Sequence, residues 1–139
     1  MTEFTVRTSQ HAQFLEITDE VQRIVTGSGI RDGICTVFVP HTTAGITINE
    51  NADPDVVTDM LYALEKAVPW KDAHYGHGEG NTAAHVKSSM MGHSAQVFVR
   101  DGQLQFGTWQ GIYLCEFDGP RTRKVWVRCD QGATGSKST

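Results

Sequence analysis

The chain has 139 residues, of which 39% are hydrophobic and 20% charged, a composition typical of a globular domain. Its formal net charge of -4 argues against a nucleic-acid surface built on excess Lys and Arg, so any bound phosphate must be held locally. No run approaches the roughly 20 apolar residues that cross a bilayer, and MTEFTVRTSQ is not a signal peptide. We therefore expect a cytoplasmic protein without nucleic-acid or membrane partners, with one domain over residues 1–130 and a disordered tail over 131–139.

The first half of the chain predicts short strands and two helices. Strands are expected over residues 4–8 and 13–17, followed by a helix capped by Thr18 and ended near Gly29. The run GICTVFVP is apolar on both alternating faces, which predicts a strand buried on two sides and places His41 at its end. A further strand over 45–49 precedes Asp53 and Pro54, a capping carboxylate and a proline suited to the first helical position.

The second half predicts a polar loop, one helix and paired strands. KDAHYGHGEGN reads as a loop. A helix capped by Asn81 or Thr82 and stopped by Gly92 would place His85 and Lys87 near its N-terminus. From residue 95 the apolar residues alternate in AQVFVR, QLQFGTWQGIYLCEF and RKVWVRC, which predicts an antiparallel meander. The fold class expected is α+β, a β-sandwich with helices on its edges or one face.

Several individual residues carry expectations about packing. Cys35, Cys115 and Cys129 are odd in number and lie in apolar runs, which favours reduced packing residues over disulfides. Trp109 is expected in the core, and Gly111 at a bulge or a close backbone approach. Glu116 is expected to pair with Arg121 across a turn.

Three histidines in polar surroundings are candidates for a metal site. His41, His77 and His85 can supply imidazole nitrogens and leave a coordination position open, although their spacing matches no fixed zinc pattern. Without a metal, the same histidines can act as acid and base near neutral pH. Glu50, at a strand end, is a further general acid or base candidate.

A second group of residues is expected to bind substrate. Lys87 and Ser88, near a helix start, offer an ammonium, a hydroxyl and free N–H groups to a phosphate; the alternative is a solvated lysine with helix serines. Gln110 is expected to be a buried amide that requires partners. The remaining candidates are Thr42, Thr43 and Asn51. Motifs for nucleotide, redox and α/β-hydrolase sites are absent from the sequence.

Three stretches in order resemble the YjbQ family of small bacterial and archaeal proteins: HTTAGITINENADPDV, YGHGEGN with AAHVKSSMMG, and GTWQGIYLCEFDGPR. The resemblance implies a β-sheet sandwich, a homotrimer, and, in some members, a weak secondary thiamine-phosphate synthase activity that releases pyrophosphate. The family's shared polar positions fall here on His41, Thr42, Thr43, Asn49, Glu50, Asp53, His77, His85, Lys87, Ser88, Gln110 and Glu116. Many relatives carry an acidic residue just before the histidine that corresponds to His85, where this chain has Ala83 and Ala84.

Two functions follow from these observations. The first is an enzyme acting on a small phosphorylated metabolite, with a divalent metal, Zn or Mg, as the expected cofactor. His41, Glu50 and His85 are then the expected catalytic residues. The alternative is a non-catalytic trimeric module that binds a metal or an anion.

Overall fold

The structure is a computed structural model that describes residues 1–133. Its strands are β1 (Thr2–Arg7), β2 (Gln13–Glu16), β3 (Gly33–Phe38), β4 (Ala44–Glu50), β5 (Ser94–Arg100), β6 (Gln103–Leu104), β7 (Gln110–Glu116) and β8 (Thr122–Gln131). Its helices are α1 (Thr18–Ser28), α2 (Pro54–Ala67) and α3 (Thr82–Met91). The expected disordered tail over 131–139 overlaps the last residue of β8, and residues 134–139 lie outside the described residues.

The strands form two antiparallel sheets that pack face to face. The larger sheet has the order β1-β8-β3-β5-β6 and the smaller one the order β2-β7-β4. The predicted α+β sandwich is confirmed, but the predicted meander is wrong. After the β5–β6 hairpin the chain crosses to the smaller sheet as β7 and returns as β8 between β1 and β3. Period-two alternation identifies strands without identifying their partners.

The smaller sheet lies between two hydrophobic cores. Between the sheets, Ile112 and Leu114 of β7 belong to the same core as Val37 of β3. Helix α1 contributes buried side chains to this core. On the opposite face, Tyr113 and Cys115 pack with half-buried residues of α2 and with α3. Strand β7 is thus buried on both faces, which explains its nearly continuous apolar sequence.

The larger sheet buries only its inner face, so the prediction that GICTVFVP is buried on both sides is wrong. Cys35 and Val37 point into the core, whereas Ile34 and Phe38 are exposed on the outer face. Phe98, opposite Ile34 on β5, is 72% exposed. The outer face, which we define as Ile34, Phe38, Phe98 and Trp126, is therefore apolar and open in the single chain.

The helix ends follow the sequence signals in part. Asp53 caps α2, accepting a hydrogen bond from the Asp55 N–H at 2.9 Å, and Pro54 is the first helical residue, as predicted. Gly29 ends α1 in the left-handed conformation with φ of 75°. Thr18 is the first residue of α1 and not its cap, because its hydroxyl donates to Glu16 and accepts from the Ile112 N–H.

Helix α3 lies directly against β4 because Gly45 has no side chain. A Cβ at Gly45 would lie 2.7 Å from the Gly92 carbonyl oxygen and 3.1 Å from the Ser88 carbonyl oxygen. The same Gly92 oxygen accepts from the Ile46 N–H at 3.0 Å, which ties the end of the helix to the strand. Ala83 and Ala84 are fully buried. The helix position is therefore fixed by backbone contact.

A buried ion pair joins the two sheets at one end of the sandwich. Arg123 of β8 donates from Nε to Glu116 Oε1 at 2.8 Å and from Nη2 to Oε2, and both side chains are inaccessible or nearly so. Glu116 also accepts from the Thr8 hydroxyl and the Asp118 N–H, each at 2.9 Å. The predicted Glu116–Arg121 pair is wrong, since Arg121 pairs with Asp118.

These contacts control the ionisation of Glu116. Burial alone would raise the pKa of this carboxyl group, but the hydrogen bonds from Arg123, Asp118 and Thr8 outweigh burial and hold the pKa below its ordinary value. A carboxylate with a lowered pKa stabilises the fold above its unfolded-state pKa, and that contribution is lost as the pH falls through the folded-state pKa.

Within residues 1–133, no helix is long and apolar enough to cross a bilayer.

We predict that Glu116→Gln lowers the free energy of unfolding at pH 7 by about 3–5 kcal/mol, because it leaves the Arg123 guanidinium buried without a counter-charge. The difference from the wild type should be constant above about pH 4.3, the ordinary pKa of Glu, and shrink at lower pH. Urea denaturation across this pH range measures it. The matched control is Glu79→Gln, at an exposed loop position, with an expected change within about 0.5 kcal/mol. Equal stability of wild type and Glu116→Gln would contradict the prediction.

Candidate functional site

Several of the predicted polar residues meet in one cleft at the end of the sandwich that holds the ion pair. We call it the strand-end cleft; its volume is about 340 Å³. It is lined by Pro40, His41, Thr42, Thr43, Glu79, Asn81, His85, Asp118, Arg121 and Arg123. A larger groove of about 600 Å³ beside α1 and β8 contains no histidine. Convergent titratable groups therefore favour the smaller cleft as the candidate site.

His41 is held in one orientation and one protonation state. Its Nε2 accepts a hydrogen bond from the Lys124 N–H at 2.8 Å, so the neutral ring carries its proton on Nδ1. Burial, and next the positive charge of Arg123, lower the pKa of His41 below its ordinary value, against an opposing effect of Glu116. His41 is thus a neutral imidazole at pH 7 with an N–H to donate.

His85 reaches the cleft from the first half of α3, whereas His77, in the preceding loop, lines a separate groove of about 540 Å³ and meets the cleft through His85. The His77 and His85 rings meet edge to face, with centroids 5.4 Å apart. His77 Nε2 lies 3.8 Å from Glu79 Oε1. The three predicted histidines therefore come together in pairs, His41 with His85 across the cleft and His77 with His85.

These histidines do not fit a metal centre as they are arranged in the single chain. His41 already uses Nε2 to accept from the backbone, and His77 is not among the residues that line the cleft. In the part of the chain that the structure describes, no group of three His, Cys, Asp or Glu side chains is placed to hold an ion.

Lys87 does not lie at the surface near a helix start. It is the sixth of the ten residues of α3, its side chain is buried, and Nζ donates to Glu65 Oε1 at 2.7 Å. Burial alone would raise the pKa of Glu65, but the hydrogen bonds from Lys87 and the Trp70 N–H lower it. Lys87 thus joins α3 to α2 and does not line the cleft, and the alternative of a solvated lysine is wrong.

Of the candidates with hydroxyl groups, two line the cleft and one supports a loop of the cleft from the interior. Thr42 and Thr43 line the cleft, and Thr43 Oγ1 accepts from Arg123 Nη2 at 2.9 Å. Ser88 is fully buried and donates to the Thr42 carbonyl oxygen at 2.6 Å. Ser88 therefore positions the loop that carries Thr42.

Three other candidates lie away from the cleft. Glu50, Asn51 and Gln110 are at the far end of β4 and its partner β7, roughly 20 Å from the cleft at about 3.3 Å per residue. Glu50 accepts from the Asp53 N–H at 3.3 Å, and Asn51 donates to Glu16 at 3.0 Å.

The expectations of a buried Gln110 and a core Trp109 are wrong. Gln110 is exposed, and its side-chain oxygen accepts from the Gly107 N–H at 2.8 Å. Trp109 is 61% exposed. The predicted close approach at Gly111 is present, since a Cβ there would lie 2.5 Å from Glu16 Oε2.

Sequence reasoning missed four polar residues of the cleft: Asn81, Asp118, Arg121 and Arg123. Asn81 donates to Asp118 Oδ2 at 2.9 Å, and Arg121 Nη2 lies 3.1 Å from the same oxygen. One signal was available for Arg123. It shares the parity of Val125 and Val127 in β8, so the strand alternation assigns it to the inner face.

The cleft carries no excess of fixed positive charge. Arg121 pairs with Asp118, and Arg123 pairs with Glu116 below the cleft. Glu79 adds a negative charge at the rim, 70% exposed. Directed donors, in the form of guanidinium, imidazole and hydroxyl groups, are therefore what the cleft offers to an anion.

The sequence matches the family model for "UPF0047 protein YjbQ-like" over residues 2–131. Among relatives, UPF0047 protein YugU of Bacillus subtilis is 51% identical over 123 residues, which cover 88% of this chain and 93% of YugU. A UPF0047 protein of Methanocaldococcus jannaschii is 44% identical over 125 residues, 90% of each chain.

Solved structures share the fold over nearly the whole chain. A crystal structure from Clostridium acetobutylicum, described as an uncharacterized conserved protein of this family, is 53% identical with a TM-score of 0.92, covering 94% of this chain and 100% of that one. A conserved hypothetical protein from Thermus thermophilus is 39% identical with a TM-score of 0.88, at the same coverage. With the family model matching nearly its full length, the chain belongs to the YjbQ-like UPF0047 family.

Proposed function

We propose that the protein is an enzyme that acts on a small phosphorylated metabolite in the strand-end cleft. The observation that carries the proposal is the meeting of two imidazoles, His41 and His85, with two arginines, Arg121 and Arg123, in one cleft of about 340 Å³. Such a volume suits a small molecule. Imidazoles supply acid–base chemistry, and guanidinium groups match the oxygens of a phosphate.

The cleft residues have distinct roles in this proposal. Arg121, whose side chain is 50% exposed, is the group free to turn from Asp118 towards a phosphate. Arg123 is held by its Nε and Nη2 contacts with Glu116 and Thr43, and it supports Thr43. His41 donates from Nδ1 to a charged oxygen. His85 is the proton-transfer residue, because its ring contacts His77 edge to face and, among residues 1–133, no hydrogen bond fixes its nitrogens.

The family resemblance suggests the reaction to test first. In a thiamine-phosphate synthase reaction the pyrimidine carbon–oxygen bond to the diphosphate breaks, the thiazole nitrogen bonds to that carbon, and pyrophosphate leaves. Negative charge then develops on the departing oxygen, where donors such as Arg121 and His41 lower the barrier. A divalent ion, Mg²⁺ or Zn²⁺, would bind together with the substrate through its phosphate groups, since Mg²⁺ is commonly bound through substrate phosphates with few protein ligands.

We predict that His85→Ala lowers the rate of thiamine-phosphate formation at least about 100-fold, the usual contribution of a positioned acid or base. Protein expressed in a host without its own thiamine-phosphate synthase is incubated with the two precursors and Mg²⁺, and both products are quantified. His74→Ala, at an exposed loop position outside the cleft, is the matched control and should keep wild-type activity. If His85→Ala did not change the turnover rate, the activity would not take place in the strand-end cleft as proposed.

We predict that Arg121→Ala weakens pyrophosphate binding by about 1.5–3 kcal/mol, the value of a hydrogen bond to a charged group. Isothermal titration calorimetry measures the dissociation constant. Arg100→Ala, which removes an exposed arginine outside the cleft, should leave it unchanged. Equal weakening by both variants would indicate non-specific attraction.

The alternative is a binding module without turnover. The pairing of both cleft arginines with carboxylates favours it, since those contacts stabilise an empty cleft as well as a filled one. In the assays above, this alternative corresponds to pyrophosphate binding that depends on Arg121 without product from any precursor pair.

We also propose that the protein is a homotrimer, with the outer face covered by neighbouring copies of the chain. The family resemblance suggests the trimer, and the exposed Ile34, Phe38 and Phe98 supply an apolar surface on the larger sheet. Apolar faces on a sheet usually mark an interface.

We predict a trimer mass by multi-angle light scattering at micromolar concentration, and a smaller mass for Phe98→Lys, which places a charge on the outer face. Tyr62→Lys, at an exposed aromatic residue of α2, is the matched control and should not change the mass. A monomer mass for the wild type would contradict the trimer.

A further inference from the structure

Two of the three cysteines face each other across neighbouring strands. Cys35 of β3 and Cys129 of β8 are register partners, and the next pair on the same face of the sheet is Val37 with Val127. Both side chains are on the inner face of the larger sheet, where Cys35 is fully buried and Cys129 is half-buried against the same core. Nothing in the strand-end cleft or its chemistry requires this pair.

The backbone hydrogen bonds show which kind of antiparallel pair the cysteines form. The Gly132 N–H donates to the Asp32 carbonyl oxygen at 2.8 Å, and these residues are opposite each other in the same register. Hydrogen-bonded and non-hydrogen-bonded pairs alternate along an antiparallel ladder. Three positions further on, Cys35 and Cys129 are therefore a non-hydrogen-bonded pair.

This pair type brings the two sulfur atoms within bonding range. The Cα atoms of a non-hydrogen-bonded pair are about 4.5 Å apart and the side chains are close. A disulfide spans Cα separations of about 4.4–6.8 Å. The bond can therefore form while the strands keep their register.

The two thiols differ in access to a reagent. Cys129 lies beyond the position where β1 pairs with β8, since that ladder begins at Thr2 opposite Val127. It lines the groove of about 600 Å³ beside α1. Burial, and next the neighbouring Cys129, raise the pKa of Cys35 to about 12. Cys129 is thus the thiol that meets a reagent first, with Cys35 placed to resolve the product.

We propose that Cys35 and Cys129 are a reversible redox site that a low-molecular-weight disulfide oxidises to a cross-strand disulfide. The Cys129 thiolate attacks one sulfur of the reagent, forming a mixed disulfide and releasing one small thiolate, which takes up a proton. The Cys35 sulfur then attacks the Cys129 sulfur, loses its proton to solvent and releases the second small thiol. Two protein thiols and one small disulfide become one protein disulfide and two small thiols.

The remaining cysteine is excluded by its position. Cys115 is on β7, on the face of the smaller sheet that packs against the helices, so a sheet separates it from the other two. Burial also raises its pKa well above the ordinary range. Oxidation of the folded chain should therefore leave one thiol per chain.

The test is to equilibrate the folded full-length protein with oxidised glutathione, then unfold it and alkylate the free thiols. Three alkylated cysteines before oxidation should fall to one, Cys115, and the intact mass should fall by two hydrogens. Peptide mapping should join Cys35 to Cys129 in the wild type, and dithiothreitol should restore all three thiols.

Two variants separate the steps of the reaction. Cys35→Ser should accumulate a glutathione adduct on Cys129 that cannot resolve, whereas Cys129→Ser should remain unmodified while folded. Circular dichroism establishes that each variant is folded. Wild-type protein that keeps three free thiols in fully oxidised glutathione, or a peptide map that joins any other pair, would overturn the proposal. The wild-type map decides the matter even if neither variant folds.

Discussion

The architecture depends on placing one fully buried ion pair, Arg123 with Glu116, between two sheets. A buried charge is stable only when its partner and its remaining hydrogen bonds are all present. Glu116 is therefore surrounded by donors from three parts of the chain: β8, the Asp118 turn and Thr8 after β1. Satisfying this one carboxylate brings together the segments that form one side of the strand-end cleft.

The same constraint explains why the cleft lies at this end of the sandwich. Arg123 also donates to the carbonyl oxygen and hydroxyl of Thr43, which fixes the loop that carries His41 and Thr42. His41 is then held from the other side by the Lys124 N–H, the residue next to Arg123. Two adjacent residues of β8 therefore hold the ion pair and His41: Arg123 pairs with Glu116, and the Lys124 N–H donates to His41.

Patterns in neighbouring residues were sufficient to predict most helices and strands, but not how the strands are arranged in the two sheets. Alternation in β5 and β8, the Asp53–Pro54 helix start and the Gly29 helix end are properties of neighbouring residues, and each is present in the structure. Which sheet β7 joins depends on contacts between distant segments, and no short-range pattern encodes it. The exposed side of β3 was missed because Ile34 and Phe38 look like core residues in sequence.

The candidate site was also predicted only in part, because some of its residues depend on contacts between distant segments. Histidines beside small residues and hydroxyls identified His41 and His85, which do share the cleft. Lys87 was misplaced because its partner Glu65 is in another helix, 22 residues away. Glu50 and Asn51 lie near His41 in the sequence, and Gln110 lies in a separate motif. All three are at the opposite end of the smaller sheet from the cleft, because β4 and β7 run the length of that sheet.

The contact of Gly45 with α3 has a consequence for the dimensions of the cleft. His41 is anchored to the larger sheet, whereas His85 is carried by a helix whose distance from the smaller sheet is set at Gly45. A single methyl group at position 45 would overlap the Gly92 carbonyl oxygen and push the helix outward. The spacing of the two imidazoles, and with it the size of molecule that fits between them, therefore depends on the missing side chain of Gly45, a residue that does not itself line the cleft.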